Sequence, residues 1–148
     1  MIELLLFFHI LLFVFAFTFT AGTGIFLGRV AATRDAKIIQ ATFTAARPLS
    51  MTGGICWLLT ALAGVGLAHA YGLDMSAPWL IYSYIAFAVL ILTGFLLHSP
   101  WQAKVIAASA AGGPELDAVL QSPIHRIASG VSAVSVLTLV YLMTARPG

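Results

Sequence analysis

Four stretches of about 20 consecutive, mostly apolar residues dominate this sequence, each closed by a polar or proline-containing break. A helix needs about 20 such residues to cross the hydrocarbon core of a bilayer. Inside lipid every backbone N–H and C=O must find a partner within the protein, which leaves helices or closed barrels. The long apolar runs lack the alternation of barrel strands. The expected fold is therefore all-α, a polytopic membrane protein built as an antiparallel four-transmembrane-helix bundle. The spans fall at about 3–28, 50–71, 79–98 and 124–143 of one domain covering residues 1–148.

Composition closes the alternative. Of 148 residues, 61% are hydrophobic and 8% charged, against roughly a quarter charged in an ordinary soluble domain. The first span opens with Glu3 rather than a basic residue, unlike a signal peptide, so it is expected to stay attached as a helix. The segment from Arg29 to Arg47, ending at Arg47-Pro48, is expected to be an interfacial connector, partly helical. Tyr71-Gly72-Leu73-Asp74 with Pro78 predicts a tight turn, and Ser99-Pro100 predicts the end of the third helix. Trp101 to Pro123 predicts a short surface helix and a turn at Gly112-Gly113-Pro114, with Trp101 and Lys104 as headgroup anchors.

Arg29, Arg34, Lys37, Arg47, Lys104 and Arg126 follow one span or three, and only Arg146 lies on the opposite side. The positive-inside rule puts the basic loops in the cytoplasm and both termini outside, in a bacterial inner membrane. This asymmetry accounts for the net charge of +2 without a nucleic-acid partner.

Small residues let helices approach closely in lipid. Thr20, Gly24 and Gly28 recur every fourth residue on the first helix, and Cys56, Thr60, Gly64 and Ala68 do so on the second. Ser129, Ala133, Ser132 and Ser135 give the fourth a comparable face. Either these stripes pack the bundle or one of them mates with another subunit, a membrane-protein partner or a second copy. Phe7, Phe8, Phe13, Phe15, Phe17, Phe19 and Phe26 crowd the first helix and spread around it, facing lipid or a neighbouring protein.

The sequence holds no phosphate loop, nucleophile motif or paired intramembrane carboxylates, so no catalytic residue is assigned. The remaining chemistry lies in His9, His69, His98 and His125. His9 and His69 fall toward the outer face, His98 and His125 toward the inner one. A neutral imidazole ligates metal or haem. His9 lies about 9 Å inside its helix and is the first candidate ligand for a haem b, with His69 the second.

The chain resembles a family of predicted bacterial integral membrane proteins catalogued as domain of unknown function 2269. The likeness rests on Leu6-Phe7-Phe8-His9-Ile10, Arg34-Asp35, Gly64-Val65-Gly66-Leu67-Ala68, Tyr71-Gly72-Leu73-Asp74 with Ala77-Pro78-Trp79-Leu80, and the ending Tyr141 to Pro147. It implies a four-helix membrane bundle and carries no established activity. The opening segment is also similar to the first helix of copper-resistance D and HemJ-type membrane proteins, His9 matching their histidine. Their tryptophan and paired glycines are replaced here by Phe13–Phe19 and Gly22-Thr23-Gly24. The resemblance raises haem above other cofactors. Two functions follow as expectations: an accessory or scaffold component of a membrane complex, or a haem-binding redox or haem-handling protein using His9.

Overall fold

The computed structural model describes residues 1–147. Among them the only regular elements are helices: α1 (Ile2–Ala31), α2 (Ala36–Ala70), α3 (Pro78–Ala111), α4 (Gly113–Leu120) and α5 (Pro123–Ala145). Each of the four long apolar segments is long enough to cross a membrane, as the hydropathy pattern requires. The fold is a four-helix membrane bundle, with α4 a short element preceding the last span.

Helices α1 and α2 pack along each other in antiparallel register. Phe13 meets Trp57 edge-on at 5.5 Å between ring centroids, and a Cβ on Gly66 would sit 3.4 Å from Leu5 Cδ2. Where α1 passes Gly53 it widens into one π-helical turn, Thr18–Gly22. The Thr20 hydroxyl donates to the Ala16 carbonyl at 2.7 Å, the kind of back-bond that bends a helix. It also accepts from Trp57 Nε1 at 3.2 Å. Helix α3 runs antiparallel to α5, and Ala16, Cys56, Trp57, Leu90 and Leu139 form the midsection where all four spans meet.

The helices overrun the expected spans at the basic end. With 35 and 34 residues, α2 and α3 are each roughly 50 Å long, against about 30 Å of hydrocarbon. Their extensions pack together with the end of α1 and with α4 around Leu27, Ile39, Phe43, Ala46, Trp101, Val105, Ala108 and Leu116. Three expectations are corrected here. The segment 36–47 is no separate connector but the first turns of α2, which runs straight through Pro48. The carbonyl that Pro48 leaves without its helical donor belongs to Thr44, an exposed residue, while Ile39, Phe43 and Ala46 gain burial on the opposite side. Ser99-Pro100 does not end α3, because a π-helical turn, Gly94–His98, shifts the register just ahead of the proline. Trp101 is no headgroup anchor: it is buried, edge-on to Phe43 at 5.7 Å.

The turns follow local chemistry. Asp35 caps α2 by accepting from Lys37 N at 3.0 Å and Ile38 N at 3.1 Å. Helix α2 closes in a Schellman motif, with Leu73 N donating to Ala68 O at 2.9 Å, Gly72 N to His69 O at 3.0 Å, and Gly72 at φ +64°. Ser76 donates through its amide and its hydroxyl to Asp74 Oδ1, and these bonds hold the Asp74 carboxyl below its ordinary range. At this same end Arg146 lies over the Trp79 ring, 5.6 Å from its centroid.

Candidate functional site

Each histidine has its own setting. His9 is pinned to α2: its Nδ1 lies 2.9 Å from the Thr60 carbonyl, and an acceptor of that kind fixes the proton on Nδ1. A Cβ on Gly64 would lie 2.9 Å from His9 Cε1. The ring therefore reaches Thr60 across the gap that a glycine provides. Thr60 in turn donates its hydroxyl to Cys56 O at 2.7 Å. His69 is exposed and stands five residues beyond Gly64, about 140° round the helix. His9 and His69 are not brought to one face of α2.

His98 and His125 are brought together. His98 ends the π-helical turn of α3, a local widening often found at functional sites. His125 lies in the first turn of α5. Their ring centroids are 5.6 Å apart at 81°. His98 Nε2 is 3.3 Å from Ser132 Oγ. The other side of His125 stacks on Trp101 at 3.7 Å and 9°, while Trp101 Nε1 donates to Val119 O at 3.3 Å. His125 Nδ1 is buried with no hydrogen-bond partner among the described residues. This cluster ties α3, α4 and α5 together at the basic end of the bundle. Both imidazoles were legible as lying toward one end of the bundle; their meeting was not, because it depends on how α3 packs against α5, and the stack with Trp101 on α3 continuing past Pro100.

Beside the cluster opens a cleft of about 250 Å³, lined by Gly28, Ala31, Ala32, Arg34, Trp101, Leu120, Gln121 and His125. Arg34 makes the one ion pair among the described residues, with Asp117 at 3.2 Å, and both side chains are largely solvent-exposed. No group of three or more His, Cys, Asp or Glu side chains assembles among the described residues.

The packing residues divide. Thr60 and Ala68 are buried, Gly64 touches His9, and Gly53, absent from the expected stripes, would place a Cβ 2.7 Å from Thr20 Cγ2. On α1 a Cβ at Gly24 or Gly28 would meet nothing within 4 Å among the described residues. Ser129 and Ala133 are exposed, while Ser135 is buried. A family model described as predicted integral membrane protein (DUF2269) matches residues 3–147. The chain belongs to this family. No curated protein matches the chain, and no solved structure does. This DUF2269 chain thus pairs His98 with His125 and carries two differently placed glycine sets.

Proposed function

We propose that the protein is an accessory or scaffold component of a membrane complex, and that it meets its partner through α1. The observation that carries this reading is the open face at Gly24 and Gly28, where added Cβ atoms would touch nothing within 4 Å, in contrast to Gly53 and Gly64. Gly24 and Gly28 are spaced for close helix approach, and α2 does not use them. Of the residues of α1 only Ala16 and Leu27 are buried, and Phe7, Phe8, Phe15, Phe17 and Phe26 face outward. A helix exposed on so much of its circumference has surface left for a neighbour.

Substituting the two sets separately tests the reading. Gly24→Leu is expected to leave the monomer's thermal unfolding in mild detergent unchanged and to abolish co-purification of its membrane partner, or of a tagged second copy. Gly64→Leu is expected to unfold the monomer, since the new side chain occupies the His9 seat. An assembly that survives Gly24→Leu would contradict the proposal.

A further inference from the structure

The cleft at the basic end carries an inference that does not rest on the assembly reading. Its walls come from the end of α1 (Gly28, Ala31, Ala32), the turn residue Arg34, the end of α4 (Leu120, Gln121), and the stacked Trp101 and His125. Its charged lining residue is the Arg34 guanidinium, and the Gln121 amide supplies a further donor. His125 belongs to the first turn of α5, whose N-cap Ser122 makes no side-chain cap. The positive end of a 23-residue helix therefore abuts the same opening. No carboxylate lines it. The surrounding end of the protein holds six Lys and Arg against Asp35, Glu115 and Asp117, an excess of three positive charges. The cleft's lining residues sit at or just outside the ends of the apolar spans read from the sequence, where head groups are expected.

We propose that this cleft binds a phosphate group bearing uncompensated negative charge, seated on Arg34 and Gln121. Basic pockets between membrane helices on the positively charged side select such head groups, and a planar guanidinium matches phosphate oxygens in a bidentate fork. Arg34 is held at φ +56° in the turn and shares Nη1 with Asp117 Oδ1 at 3.2 Å. An exposed pair of this kind holds its members weakly, so the phosphate competes with Asp117 for the guanidinium. Two sources share the chemistry: the head group of an anionic phospholipid, or free phosphate from the aqueous side.

Native mass spectrometry of the full chain in mild detergent, with phosphatidylglycerol, oleate or inorganic phosphate, tests the site. Retention of phosphatidylglycerol should fall about fivefold in Arg34→Gln, the loss expected for one basic residue near the surface. It should fall clearly less in Arg126→Gln, a basic residue outside the lining. Asp117→Asn, which frees the guanidinium, should raise retention; a merely structural ion pair would make both partners' variants behave alike. Binding of inorganic phosphate that displaces the lipid would identify the soluble source, and lipid retention indifferent to phosphate the membrane one; either supports the site. Oleate retained as well as phosphatidylglycerol, equal losses in Arg34→Gln and Arg126→Gln, weakening by Asp117→Asn, or no retention by the unaltered chain would each overturn it.

Discussion

A methyl group added to Gly64 would fall 2.9 Å from His9 Cε1, and the ring cannot easily retreat because its Nδ1 is bonded to Thr60 O at 2.9 Å. Gly64→Ala should therefore destabilise the protein by about 1–3 kcal/mol, the usual cost of overpacking. In a His9→Ala background the same change should cost far less, because the crowded partner is gone. A double-mutant cycle by thermal unfolding in detergent should show coupling of about 0.5–3 kcal/mol; additive effects would mean that the two residues do not share a seat. Spacing alone marked Gly24 and Gly64 as equivalent members of small-residue stripes. Only the register of α1 against α2 separates them, and that register is a tertiary property set by His9, Phe13 and Thr20 meeting Thr60, Trp57 and Gly53.

At the scale of elements, the apolar runs and the turn residues were readable because their signals are local. Gly72 supplies the left-handed residue that ends α2, and Pro78 opens α3. The two internal prolines were misleading for a physical reason: proline removes one backbone donor, but a helix continues past it when the burial gained beyond exceeds that loss. Beyond Pro48 the gain is Ile39 and Phe43, and beyond Pro100 it is Trp101 and Val105, all in the basic-end core. The stack of Trp101 on His125 was hidden by the same step, since a helix ending at Pro100 would leave Trp101 at the surface. Asp35 is the cap that starts α2 at residue 36 rather than at Ser50. Asp35→Ala should lower stability by about 1 kcal/mol and reduce the helical circular dichroism of the extension. An unchanged spectrum and midpoint would show that tertiary packing alone fixes this helix start.

On the scale of the whole molecule, the four spans put Lys37 and Lys104 at one end and the Asp74–Ser76 turn at the other. The charge asymmetry predicts that the basic end faces the cytoplasm. In intact cells carrying Cys56→Ala, a membrane-impermeant thiol reagent should label Ser76→Cys and leave Lys104→Cys unlabelled until the membrane is opened; the reverse pattern would invert the protein. The same frame leaves α1 at the rim of the bundle, with the Gly24–Gly28 face that we propose meets another protein open on its surface. The most direct measurement is photo-crosslinking in native membranes, with a benzophenone side chain at Ile25, beside that face, and at Leu62 of α2 as a control, both being equally exposed at 69%. A discrete higher-mass adduct from position 25 and none from position 62 is the predicted result. Lipid adducts alone at both positions, or the same protein adduct from each, would contradict it.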